Sequence, residues 1–512
     1  MKKSIMIAAA FAALAVASCT DDRFDIQPPV IENNGDDNGG TTPGEDVGQS
    51  SYNEPYRPQI HYTPARNWMN DPNGLVYADG MWHMFYQYNP QGNDWGNMSW
   101  GHATSTDLVH WTEQSVAMRR NELGDIFSGS AVIDRDNTAG FGAGAMVAIY
   151  TSSGQRQQQS IAYSTDGGKT FTQYAGNPVL PNSEFGGFRD PKVFWHKESS
   201  QWIMAATRSV DDGNWDAFRI VFYGSKNLKN WEFLSEFNTD VKRSKIGQWE
   251  CPDLVRMTYK GADKWVLIVS NNPGGPVGGS GTEYFVGDFD GTTFTADALD
   301  YPLWIDCGSD NYAGVTWSNV PDGRTLFIGW MNNWLYAGAV PASPWRSAMT
   351  LPRELTLVEA DGKPVLANYP VAEIETIAGE WQSAAGTIAA KSAYELKVKV
   401  NMSENAELTL SNGAGQHLDI SVNAAIRSLI VHRTGQTGAA SFHGLFSIPS
   451  ISVPIRGTAD EVELHLFVDR SSVELFTADG TSAATVLVFP SEIYNRFSGA
   501  DGAEYRELQS IW

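Results

Sequence analysis

Three cysteines in 512 residues cannot make a disulfide framework, and two of them, Cys251 and Cys307, lie deep in the chain. Stability must therefore come from packing. Basic residues are also few. Lys and Arg total 36 against 59 Asp and Glu, a formal charge of -23, which repels nucleic acid and acidic headgroups and favours neutral substrates or cations. The longest N-terminal apolar run, Ile5 to Ala17, falls short of the roughly 20 residues a spanning helix needs. No His or Cys cluster has metal-ligand spacing, and no phosphate loop or supported Ser-His-Asp arrangement is present, so neither a metal nor a cofactor is implied. What is abundant is aromatic and small: 18 Trp, 19 Tyr, 23 Phe and 49 Gly, a density that suits a β-rich core or platforms for sugar rings. At 42% hydrophobic and 19% charged, the chain is globular and too long for one compact core, so two domains are expected.

The N-terminus reads as an address. Lys2 and Lys3 precede the Ile5 to Ala17 run, which ends in Val16-Ala17-Ser18-Cys19. Small residues before a cysteine at the end of such a run resemble the bacterial lipoprotein processing box. That resemblance implies a signal peptide over 1–18, lipidation at Cys19 and no other membrane contact; an ordinary secretory signal is the alternative. The following Thr20-Asp21-Asp22-Arg23-Phe24-Asp25 resembles the acidic tag of Bacteroides-type lipoproteins, which implies an outer-membrane protein facing the exterior. The stretch 19–57 is dominated by Pro, Gly, Asn and Asp and is expected to act as an unfolded tether.

Beyond Pro58 short alternating apolar runs are broken by Gly, Asn and Asp turns, a strand signal. Five segments begin alike, at Asp71, Phe127, Asp190, Cys251 and Asn311, in steps of 56, 63, 61 and 60. Each is followed by a turn and a second apolar strand, such as Met81 to Gln87 or Trp202 to Thr207. A hairpin also recurs, as Ser105-Thr106-Asp107 through Trp111, Ser164-Thr165-Asp166 through Phe171, and Ser225-Lys226-Asn227 through Trp231. Five four-stranded units of about sixty residues predict an all-β chain whose first part, 58–358, is a five-bladed β-propeller. A linker over 359–376 and a C-terminal β-sandwich over 377–512 are expected to follow.

A propeller converges the first strand of every blade on one axis. Asp71, Asp190 and Glu250 stand at or beside these starts, 119 and 60 positions apart, two blades and then one. Alone, Asp71 in Asn-Asp-Pro-Asn-Gly is turn chemistry, and the other two are ordinary surface acids. In phase, the three should point into one funnel. Carboxylates facing each other across a sugar are what glycosidic cleavage needs, about 5 Å apart for retention. Neighbours on a strand face opposite ways, so the Cys251 thiol is expected to pack behind the funnel.

Trp68-Met69-Asn70-Asp71-Pro72-Asn73-Gly74, Phe188-Arg189-Asp190-Pro191 and Trp249-Glu250-Cys251-Pro252 resemble the motifs of glycoside hydrolase family 32, the retaining β-fructosidases that include invertases, inulinases and levanases. Phe85 to Pro90, Trp100 to Ala103 and Gly329 to Trp334 are similar to family sequence too. The resemblance implies Asp71 as nucleophile, Glu250 as general acid/base with a raised pKa, and Asp190 as an ionised transition-state stabiliser kept charged by Arg189. It also implies that Asn70, Gln87, Trp95, Phe127, Ser128, Arg189 and Trp334 bind a fructosyl unit, with no metal and no cofactor. Trp100 and Trp330 fit core packing as well as sugar contact. The implied substrate is a fructan, levan or inulin. An anchored surface enzyme is most useful cutting polymer for import, which points to an endo-levanase, with an exo-acting levanase or inulinase as the alternative. A fructan-binding lipoprotein without activity and a fructosyltransferase are rivals from other classes, and the C-terminal domain is expected simply to pack on the first.

Overall fold

The computed structural model describes residues 50–512 except 212, 215, 216 and 439–441, so the expected signal peptide, Cys19 and most of the expected tether lie outside the described residues. The chain from Asn67 lays down five antiparallel sheets in order. The first holds β1 (Asn67–Ala78), β2 (Met81–Asn89), β3 (Ser99–Ser105) and β4 (Trp111–Met118). The second holds β5 (Asp125–Asp134), β6 (Ala145–Ser153), β7 (Gln157–Ser164) and β8 (Thr172–Gln173). The third holds β9 (Gly187–His196), β10 (Gln201–Ser209), β11 (Arg219–Ser225) and β12 (Glu232–Phe237). The fourth holds β13 (Gln248–Tyr259), β14 (Ala262–Asn272), β15 (Gly281–Phe289), β16 (Phe294–Ala296) and β17 (Leu303–Trp304). The fifth begins with β18 (Tyr312–Thr316) and β19 (Thr325–Met331); β20 (Trp345–Arg346) then runs parallel to β1 of the first sheet, and β21 (Ala348–Met349), β22 (Arg353–Ala360) and β23 (Lys363–Pro370) complete the fifth.

Face-to-face packing explains the unbroken apolar runs of the second strands, because residues alternate across a strand and both faces are covered. In β10, Met204 and Ala206 pack with Val147 and Ile149 of the second sheet, while Ile203 and Ala205 pack with Leu267 and Val269 of the fourth. In β19, Leu326 and Ile328 join Met84 and Tyr86 of the first sheet, and Phe327 joins Val266 and Ile268 of the fourth. Each first strand touches the first strand of the next sheet, and β18 touches β1. The recurring hairpin is an Asx turn: the Oδ1 atoms of Asp107, Asp166 and Asn227 each accept two backbone N–H groups two to four residues on.

The C-terminal part is two more sheets. One runs β24 (Gln382–Ser383), β34 (Glu504–Glu507), β25 (Tyr394–Asn401), β30 (Glu461–Val468), β31 (Ser472–Thr477) and β32 (Ala483–Leu487). The other runs β29 (Ile448–Pro454), β28 (Ser428–Arg433), β27 (His417–Asn423), β26 (Ala406–Ser411) and β33 (Arg496–Ser498). Leu396, Leu464 and Leu475 of the first meet Leu408, Ile420 and Val431 of the second in one core.

Two expected boundaries move. The stretch 359–376, read as a linker, carries β23, because Asp361 and Gly362 both take positive φ (+53° and +76°) and turn β22 back on itself as a hairpin. Its prolines, Pro364 and Pro370, are tolerated because β23 is an edge strand. The described end of the tether, residues 50–57, is packed. Arg57 is fully buried, donates to Thr63 Oγ1 and to the carbonyls of Pro64 and Ala65, and lies over the Tyr52 and Trp345 rings, while Tyr52 stacks on Trp512 at 4.0 Å.

The two parts are joined by buried charge. Arg353 of β22 donates to Asp306 and Asn368, each at 2.9 Å, and to Thr485 and Glu474 of the C-terminal part. Glu474 also pairs with His61 at 2.8 Å, and Asp469 holds the other His61 nitrogen at 2.8 Å.

Candidate active site

Every first strand is irregular at the same level. The pairing register slips between Met69 and Pro72 in β1, between Ile126 and Gly129 in β5, and between Glu250 and Asp253 in β13. In β18 it slips between Tyr312 and Val315, and the slip in the β9–β10 pair falls opposite Asp190 and Pro191. A bulge re-aims side chains and interrupts strict alternation. Three of the residues involved, Asp190, Cys251 and Ala313, sit in the left-handed region at φ +61°, +47° and +52°, strained for non-glycine residues. The irregularities fall at the positions the repeat spacing singled out.

These bulges gather the three acids. Asp71 Oδ2 accepts from Ser128 Oγ at 2.6 Å, and its Oδ1 accepts from Asn70 Nδ2 at 3.0 Å. Trp68 Nε1 in turn donates to Asn70 Oδ1 at 2.7 Å. Asp190 Oδ2 accepts the Cys251 backbone N–H at 3.0 Å, and the Asp190 N–H donates to Thr151 Oγ1 at 3.0 Å. Glu250 Oε1 accepts from Arg189 Nε at 3.1 Å, and Oε2 accepts from the Tyr312 hydroxyl. Arg189 also donates to Gln248 Oε1 at 3.1 Å.

The Cys251 thiol does not pack behind the site. Its Sγ lies 3.6 Å from Asp71 Oδ2 and 3.8 Å from Asp190 Oδ2, between the two carboxylates. The left-handed backbone of the bulge turns Cys251 to the side that alternation assigns to its neighbour. Burial, reinforced by the charges of Asp190 and Asp71, pushes the thiol well above its ordinary range, so it is a neutral S–H beside two acids.

The electrostatics also differ from the expectation at Asp190. The sequence reading put an ionised carboxyl at Asp190; burial pushes that group to about 7. Arg189 opposes that rise and the charges of Glu250 and Asp71 add to it. Geometry gives the reason: the Arg189 guanidinium approaches Glu250 to 3.1 Å but Asp190 only to 3.9 Å, and Asp190 is 7% exposed against 23% for Glu250. Asp71 is raised by burial, opposed by its hydrogen bonds from Ser128 and Asn70.

The expected sugar-binding residues divide. Trp95, Phe127 and Trp334 are half-buried and pack in one cluster with Trp68, Cys251 and Tyr312, a wall beside the acids. Gln87 is buried and donates to the Ile126 carbonyl at 2.9 Å, so it braces the entry to β5, where Phe127 and Ser128 follow. Trp100 and Trp330 are fully buried, and Trp100 Nε1 donates to the Phe127 carbonyl. Sequence reasoning missed Tyr312, Gln248 and Thr151. Tyr312 was legible, since it stands second in the fifth repeat, 62 positions after Glu250. Among the described residues no group of His, Cys, Asp and Glu side chains is arranged to hold a metal ion.

Comparison with known proteins identifies the family. Residues 61–370 match the glycosyl hydrolases family 32 N-terminal domain, and 371–509 match the glycosyl hydrolases family 32 C terminal domain. A levanase of Bacillus subtilis is 45% identical over 466 residues, 86% of this chain and 67% of that protein. An extracellular exo-inulinase of Aspergillus niger is 39% identical over 536 residues, covering 90% and 96%. The crystal structure of an exo-inulinase from Aspergillus awamori superposes with a TM-score of 0.81 at 36% identity, covering 90% of this chain and all of that one. The chain belongs to glycosyl hydrolase family 32 and is a glycoside hydrolase acting on β-fructofuranosidic bonds.

Proposed function

We propose that the protein hydrolyses fructan with retention by releasing terminal fructose, levan being the first substrate to test. The observation that carries this reading is the trio of Asp71, Asp190 and Glu250, gathered at successive bulges and walled by Trp95, Phe127 and Trp334. Asp71 attacks the anomeric carbon while Glu250 protonates the leaving oxygen; Glu250 then takes a proton from water, which releases the fructosyl ester. Ser128 and Asn70 hold Asp71 in its attacking orientation, and Tyr312 with Arg189 holds Glu250. Asp190 contacts the fructose hydroxyls, and the charge it carries when ionised favours the oxocarbenium-like transition state. The five sheets read as blades of a propeller whose axis the first strands line, with the C-terminal sheets as a sandwich packed on it.

The 45% identity to a levanase supports levan as substrate, and likeness to exo-inulinases across 90% of the chain supports terminal release. Endo-cleavage is the second reading. It draws on the surface lipid anchor proposed at Cys19, which faces the enzyme outward on an outer membrane and lies outside the described residues. Early products from levan and from inulin separate the two: fructose alone supports terminal release, and oligosaccharides appearing first support endo-cleavage. No product from levan, inulin or sucrose refutes hydrolysis and leaves a binding protein; fructosyl oligomers at high sucrose mark a transferase.

A further inference from the structure

Behind the acid/base, on the far side of Trp249, lies a buried carboxyl that the reaction does not use. Glu283 of β15 is fully buried, and neither of its oxygens has a hydrogen-bond partner of good geometry. Ser244, Asn271 and Trp249 stand close to it. Those three are tied together: the Ser244 carbonyl accepts from Trp249 Nε1 at 2.7 Å and from Asn271 Nδ2 at 3.2 Å. Asn271 of β14 lies directly opposite Trp249 in the ladder, and Trp249 sits between Gln248, which receives Arg189, and Glu250. Ser244 belongs to the short turn Lys242–Lys245 that leads into this stretch.

We propose that Glu283 is a positioning residue, held as a neutral carboxylic acid that braces Ser244, Asn271 and Trp249, so that losing its proton loosens the segment carrying Gln248 and Glu250. The inference rests on the fructosidase reading of the site. Among the described residues, polar Ser244, Asn271 and Trp249 act on this carboxyl. Its neighbours are Trp249 on β13, Asn271 and Val269 on β14, Trp304 on β17 and Ser244 on the turn, whose Lys242 and Arg243 are exposed. Burial pushes it to about 8, with Ser244, Asn271 and Trp249 opposing the rise. An unpaired buried carboxylate is costly, so the ionised form draws water and opens the turn.

The test compares E283Q, which keeps the shape and a polar head but cannot ionise, with E283L and the wild type. In E283Q kcat at pH 6 stays within about twofold of the wild type, and the loss of kcat between pH 7 and pH 9 is smaller by about tenfold, because the neutral fraction of the wild-type carboxyl falls to about one tenth at one pH unit above its pKa. E283L, which leaves the buried Ser244 Oγ and Asn271 Oδ1 beside an apolar side chain, loses about tenfold in kcat at pH 6 with KM unchanged. Melting curves give a readout free of substrate. The unfolded acid ionises near its ordinary 4.5 and the folded one near 8, so wild-type stability falls as pH rises between them and then levels, and E283Q lacks that fall. An E283Q that tracks the wild type in both kcat and melting from pH 5 to 9 overturns the proposal, as does an E283L equal to the wild type at pH 6. If the wild type cleaves no β-fructoside, the fructosidase reading falls and the melting comparison still decides Glu283.

Discussion

Replacing Ser128 with alanine removes the shortest neutral donor from the candidate nucleophile while leaving the strand intact. The Ser128 hydroxyl donates to Asp71 Oδ2 at 2.6 Å, within the short range of bonds to a charged acceptor. Such bonds contribute about 1.5–3 kcal/mol, and each 1.4 kcal/mol is about tenfold, so kcat/KM should fall roughly 10- to 100-fold. Part of that loss depends on pH. Burial raises Asp71 and the Ser128 bond lowers it, so the variant's Asp71 holds its proton to higher pH. Attack needs the ionised form, and the acid limb of kcat/KM therefore moves to higher pH in Ser128→Ala. Initial rates on sucrose or levan from pH 4 to 8 measure both effects. A loss under about twofold with an unmoved acid limb refutes the role given to Ser128.

Three further outcomes follow from the same geometry. His61, lowered by burial but raised more by Asp469 and Glu474, stands at about 9, so its contribution to stability is full below about 6.5 and lost as pH rises through 9. His61→Gln should lack that alkaline loss in thermal melts, and a wild-type-like pH dependence contradicts it. Tyr312→Phe takes the donor from Glu250 Oε2 and should lower kcat/KM by roughly 10- to 100-fold without changing the melting temperature; full activity contradicts it. The buried, neutral Cys251 thiol should resist iodoacetamide in the native enzyme at pH 8 and react after denaturation, as peptide mass spectrometry can read.

The repeat made the site legible because its period marked where strands converge, even though no single acid was informative. Asp71, Asp190 and Glu250 sit as the phase demanded, and the alternating runs anticipated the second strands, whose two faces serve two neighbours. Alternation failed at the bulges. Cys251 faces the acids because its left-handed φ reverses the side-chain direction, a backbone property that a lone Cys-Pro pair does not announce. The raised Asp190 was hidden for a related reason: which carboxylate Arg189 reaches more closely depends on a difference of less than an ångström that spacing cannot supply. Glu283 was invisible in a strand of mixed residues, since nothing in Gly281–Phe289 says that its position faces Trp249 and not solvent. The packed segment around Arg57 looked like tether because its few anchoring side chains are spread among polar residues.

The central claim is that Asp71 carries the fructosyl unit between the two chemical steps. Glu250→Ala with an aryl β-fructofuranoside isolates it, because the activated leaving group needs no acid while release of the ester still needs the base. A burst of one phenol per enzyme is expected, and after an acid quench peptide mapping should find one fructosyl group on the peptide containing Asp71. No burst, or an adduct on any other side chain, contradicts the account.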